Sequence, residues 1–137
     1  MANEAEQFCK CPYLTVQRIL SGKWSLLILC FLRNGALRFS ELEKYLPDLT
    51  QSTLTKHLRK LESDGLVVRT VYPQVPPRVE YALSGIGREL CPVLDALGEY
   101  GFKYIDHQRK MGKTLDSLCE EARTPQCRCM RIEPDEN

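Results

Sequence analysis

The sequence predicts a mainly α-helical chain with a small β-hairpin wing, a winged helix-turn-helix, and three observations carry that expectation. Two short amphipathic helical patterns follow one another between residues 40 and 64, each opened by a capping residue. Two runs with strand character follow directly, at 66–72 and 78–83. Further helical patterns flank this unit on both sides, and at 137 residues, 43% apolar and 27% charged, the chain has the composition of one ordinary globular domain.

Each element has a local reason. Pro12 suits the first position of a helix, which makes Cys11 its N-cap, and apolar Leu14, Ile19 and Leu20 carry it to Ser21-Gly22. From about Lys23 to Arg33 the run "LLILCFL" is apolar nearly all round, so this helix belongs at the centre, and Asn34-Gly35 ends it. "ALRF" reads as a short extended link. Ser40 with Glu43 three residues on is a capping-box signature for a short helix that stops before Pro47. Thr50 caps the next helix, which carries Leu54, Leu58 and Leu61 at core spacing and ends at Asp64-Gly65. "LVVRTVY" and "RVEYAL" are strands, joined by a connection that holds three prolines where a tight hairpin would use Asn-Gly. Ser84 then opens one long helix to about Lys110.

Composition excludes several classes. Nineteen Lys+Arg against eighteen Asp+Glu leave a net charge of +1, so any preference for nucleic acid has to be local. The apolar run at 26–32 is far short of the roughly 20 residues that cross a bilayer, and "MANEAEQFCKCP" lacks an apolar signal region. A cytoplasmic protein without membrane contact is expected. Seven cysteines, an odd number, then argue for reduced thiols and against a disulfide framework. No phosphate-binding glycine loop, Ser-His-Asp arrangement or HExxH is present, so no enzyme activity, cofactor or metal site is assigned.

On a helical wheel, residues 51–64 place Leu54, Leu58 and Leu61 on one face and Ser52, Lys56, Arg59 and Ser63 opposite, with Gln51, Thr55 and Lys60 at the borders. Arg and Lys suit guanine O6 and N7, Gln suits adenine, and Ser and Thr reach bases or phosphates. From Gln51 to Arg78 there are five basic residues against two acidic ones, and the proline loop is placed to bring Arg78, with Arg69, to phosphate or minor groove. The implied partner is a double-stranded DNA operator. Two plainer readings stand beside this: a merely solvated helix face, and prolines that only protect a sheet edge.

The stretches "CPYLTVQRILSGKWSLLILCFL" and "RFSELEKYLPDLTQSTLTKHLRKLESDGLVVRTVYPQVPPRVEYALSGIGREL" resemble the HxlR family of transcriptional regulators, relatives of the MarR type, from about Cys11 to Ile105. The resemblance implies a winged helix-turn-helix homodimer, paired through N- and C-terminal helices, with the helix at 51–64 in the major groove. Residues 1–110 would form the DNA-binding and dimerisation domain, and residues 111–137 a cysteine-containing tail, partly disordered. Leu90, Leu94, Leu97, Gly101 and Tyr104, spaced by four and three along the last helix, are the expected dimer interface, although packing on their own domain is an alternative. Several members of that family sense oxidants or electrophiles through a cysteine just before the first helix, a position Cys11 matches, and Cys9 is a candidate partner thiol. Cys30 reads as core, and Cys91 as buried or interfacial. A regulator answering to a small ligand, or to a metal ion held by the "CKC" and "CRC" pairs at 9–11 and 127–129, is the alternative. A winged-helix protein-interaction module is a further one.

Overall fold

The computed structural model describes residues 11–22 and 24–113. Helix α1 (Pro12–Ile19) leads through a Gly22 turn to α2 (Ser25–Leu32) and strand β1 (Leu37–Arg38). Helices α3 (Phe39–Tyr45) and α4 (Gln51–Ser63), strands β2 (Val67–Tyr72) and β3 (Arg78–Leu83), and helices α5 (Gly85–Glu89) and α6 (Cys91–Lys110) follow. The winged helix-turn-helix order expected from the sequence is therefore present. Lys23, the tail beyond residue 113 and the first ten residues, Cys9 among them, lie outside the described residues.

Helix α2 sits at the centre, as its all-round apolarity requires. Ile28, Leu29 and Leu32 are fully buried among Leu42 of α3, Leu46 just after it, Leu54, Leu58 and Leu61 of α4, Tyr81 and Leu83 of β3, and Leu94 of α6. Leaving out one of these leucines by Leu→Ala would typically cost about 2–5 kcal/mol. Helix α4 starts where Thr50 Oγ1 accepts the Thr53 N–H at 3.2 Å. It ends in a Schellman arrangement: Gly65 has φ +79°, the Leu66 N–H donates to the Leu61 carbonyl, and the Gly65 N–H donates to the Glu62 carbonyl, both at 3.0 Å.

Three elements differ from the expectation. Helix α3 begins earlier than the Ser40–Glu43 signature suggests: Arg38 is the N-cap, and its N–H donates to the Glu41 carboxylate at 3.3 Å. The "ALRF" link is not a bare connector, because Leu37 and Arg38 pair antiparallel with Tyr81 and Glu80, giving a three-stranded sheet of order β1-β3-β2. The long C-terminal helix is two helices. Ser84 Oγ accepts the Gly87 N–H at 3.1 Å and so caps only α5, while α6 restarts after Leu90. Pro92 is the physical reason, since it lacks an N–H for the Arg88 carbonyl and its ring would clash there, yet fits the first turn of a new helix.

Candidate nucleic-acid interface

The outward face of α4 is built by default once its leucines are inside. Gln51, Ser52, Lys56 and Arg59 are exposed, Thr55 and Lys60 are half-buried, and Leu54, Leu58 and Leu61 are within 1% of full burial. Thr55 donates its hydroxyl to the Gln51 carbonyl at 2.8 Å, a bond that ties it to its own helix. His57, on the core border, has its pKa pushed down by burial first and then by the neighbouring charges of Lys60 and Lys56. The shift favours its neutral form, and the standing positive charge of this face comes from Lys56 and Arg59.

Lys60, at the border of the wheel, is half-buried and engaged with another element. Its Nζ donates to Ser21 Oγ at 2.9 Å and to the carbonyls of Arg18 and Ser21 at 3.2 and 3.4 Å, at the end of α1. Nothing on α4 itself signalled this, because the partners lie some forty residues away.

The wing register pairs Val67 with Leu83 and Tyr72 with Arg78, leaving residues 73–77 as an exposed tip with Val75 wholly in solvent and a cis Val75-Pro76 bond. Arg69 is exposed on β2. Arg78 is half-buried: its Nε donates to Glu80 at 2.8 Å, its Nη2 also meets that carboxylate, and the guanidinium lies 4.8 Å from the Tyr72 ring centroid. The sequence held the signal for this restraint. Positions two apart on a strand share a face, and the cross-strand partner of Arg78 is an aromatic residue.

The face expected for dimerisation is divided. Leu94 is 3% exposed and belongs to its own core, and Leu90 packs against that core. Leu97, at 41%, and Tyr104, at 46%, remain open, with Val93 and Tyr100 on the same stripe and Gly101 half-buried beside it. On α1, Tyr13, Leu14 and Val16 are also exposed. Spacing by four and three identifies a face but not the chain that covers it.

Cys11 is the N-cap residue of α1, half-buried, with Pro12 after it and no side-chain capping bond. Cys30 is inside the fold, where burial raises its thiol pKa, Arg33 opposes this, and Asp95 and Cys91 add to it, so it is a poor nucleophile. Among the described residues no group of His, Cys, Asp and Glu could hold a metal ion, and no helix is long and apolar enough to cross a membrane. The "CRC" pair lies outside them.

Comparison with known proteins agrees with this architecture. The model of the HxlR-like helix-turn-helix family matches residues 19–109. An HTH-type transcriptional regulator of Methanothermobacter thermautotrophicus is 52% identical over 94 residues, covering 69% of this chain and 72% of that protein. The solved redox regulator HypR in its reduced form is 38% identical with TM-score 0.70, covering 73% of this chain and 99% of that one. Its oxidised form is 41% identical with TM-score 0.64, covering 68% and 96%. The chain belongs to the HxlR-like helix-turn-helix family of DNA-binding transcriptional regulators.

Proposed function

We propose that this regulator binds a two-half-site operator as a homodimer, reading the major groove with Gln51, Ser52, Thr55, Lys56 and Arg59, and that oxidation of Cys11 changes its affinity. The observation that carries the DNA reading is the α4 face itself, which exposes cations, an amide and a hydroxyl on the side opposite three buried leucines. Arg69 supplies a wing cation for phosphate. The open apolar residues of α1 and α6 support pairing of two chains, and two half-sites one DNA turn apart then impose a fixed spacing between the two α4 helices.

Arg78 is a restrained wing cation rather than a free one. Glu80→Gln removes the carboxylate that holds it, keeps the side-chain shape, and removes a negative charge beside the DNA. The expected result is operator binding tighter by several-fold at low salt and a salt dependence steeper by about 0.9 in slope, the value for one more phosphate contact. Anisotropy titrations at two or more salt concentrations check it, and an unchanged slope would show that Arg78 stays off the backbone.

The thiol reading is supported by the place of Cys11 at a helix start, its partial exposure, and the likeness to a regulator known in reduced and oxidised forms. A thiol oxidant such as diamide would take two electrons and two protons from Cys11 and a second thiol, of Cys9 or of the partner chain, leaving a disulfide. The test is operator affinity before and after diamide, with dithiothreitol added last. Wild type should change affinity reversibly, and Cys11→Ser should bind DNA when untreated and give no response. A full response in Cys11→Ser, lost only when Cys127 and Cys129 are replaced, would move the sensor to the tail.

A further inference from the structure

We propose that Lys60 is a positioning residue that fastens the end of α1 to α4, so that the first helix and the DNA-contacting helix move as one body. This rests on the reading of α4 as the helix that enters the groove. The ammonium of Lys60 has three N–H donors and finds three acceptors, Ser21 Oγ at 2.9 Å and the carbonyls of Arg18 and Ser21 at 3.2 and 3.4 Å. Ser21 Oγ in turn donates to the Arg18 carbonyl at 2.7 Å, so the hydroxyl is oriented to accept from Lys60. These acceptors lie at the C-terminal end of α1, where the helix dipole favours a cation.

A second α4 side chain, one helical turn back, stands near the same turn. Gly22 has φ +96°, and a Cβ there would lie 3.5 Å from His57 Cε1 and 3.8 Å from Ser25 Oγ. His57 and Lys60 are three apart and therefore neighbours on one side of α4. The Ser21-Gly22 turn is thus bonded to Lys60 and lies close to His57, at the border of the face that carries Lys56 and Arg59. An exposed lysine free to reach phosphate would leave its donors to water. Here they meet Arg18 of α1 and Ser21 of the turn after it, and Lys60 is half-buried.

The consequence is mechanical. A displacement of α1 at its Cys11 end is carried through its eight residues to Ser21, and from there to α4 by one side chain. The packed core holds the inner side of α4, so the tether acts on the side nearest the DNA-contacting stripe.

Lys60→Met keeps the aliphatic stem and removes the donors. In the free full-length protein, amide hydrogens from Val16 to Ser21 should exchange about three- to tenfold faster in Lys60→Met, while those of Leu58 and Leu61 keep their protection. On DNA, the preference for operator over random sequence should fall about tenfold with the salt slope unchanged, because alignment rather than a phosphate contact is lost. Ser21→Ala should give part of the same loss and add little to Lys60→Met. Unchanged exchange in α1, or an equal loss on operator and random DNA with a slope lower by about 0.9, would overturn the tether. The exchange arm needs no DNA and judges the tether alone. If Lys56→Ala and Arg59→Ala leave operator affinity untouched, it is the assignment of α4 that fails.

Discussion

The double variant Lys56→Ala, Arg59→Ala is expected to lose at least about thirtyfold in operator affinity, since a bidentate contact to a base edge is worth about 1–3 kcal/mol each. Both side chains are exposed on α4, one helical turn apart, and among the described residues neither is spent on a hydrogen bond or ion pair of the kind that holds Lys60 and Arg78. Removing them leaves Leu54, Leu58 and Leu61 in place, so the fold should persist and thermal stability should change by well under 1 kcal/mol. The two single variants separate base from phosphate contact. A base contact is lost on operator DNA and spares random DNA, whereas a phosphate contact weakens both and lowers the salt slope. Anisotropy titrations on DNA from upstream of the coding sequence, with random DNA alongside, provide the measurement. Unaltered operator affinity in the double variant would refute the placing of α4 in the groove.

Gly87→Ala should strongly destabilise the fold. Gly87 is buried in α5, and a Cβ there would run into the backbone carbonyl oxygen of Leu66, with the Leu66 carbonyl carbon at 3.2 Å and Ser84 Oγ at 3.3 Å. That oxygen cannot rotate away as a flexible side chain could. It accepts the Ser84 N–H at 2.9 Å, and the Ser84 hydroxyl donates to Gly65 at 2.6 Å, so the start of the hairpin and the start of α5 are already fastened together. Forcing them apart is overpacking against backbone, expected to cost about 1–3 kcal/mol or more. In thermal unfolding this is a fall of about 5–15 °C. Gly85→Ala is the control: nothing lies within 4 Å of its Cβ position and its backbone is unstrained, so its Tm should stay close to wild type. If Gly87→Ala melts like Gly85→Ala, the tight seam between α5 and the hairpin is not present in solution.

Much of this architecture was legible in the sequence because its signals are local. Thr50, Gly65 and Ser84 do what their residue types suggest at those positions, and the wheel of α4 correctly separates Leu54, Leu58 and Leu61 from Ser52, Lys56 and Arg59. What escaped the reading depends on partners distant in the chain or on competition between signals. Strand β1 is only two residues long, too short for alternation to show, and exists because β3 comes to meet it. Two carboxylates, Glu41 and Glu43, could each close a cap for α3, and the extended backbone at Arg38 decides for Glu41. Pro92 is equally at home in a first turn or as a break, and here it is both. Lys60 looked like a border cation because a wheel knows nothing of α1. The pairing of Arg78 with Glu80 went unread because charge was counted before register.

The small strand β1 has a consequence for how the molecule assembles and comes apart. Strands β2 and β3 are joined by five residues and can zip locally, whereas the pairing of Leu37 and Arg38 with Tyr81 and Glu80 closes a ring of roughly forty residues that contains all of α3 and α4. Long closures of this kind form late, and their entropy is offset by only a few bonds. Once closed, the ring works as a clasp. The hairpin cannot swing relative to the entry of α3 without opening it, so the two parts share a single stiffness, and a thermal fluctuation that unfastens β1 loosens both together.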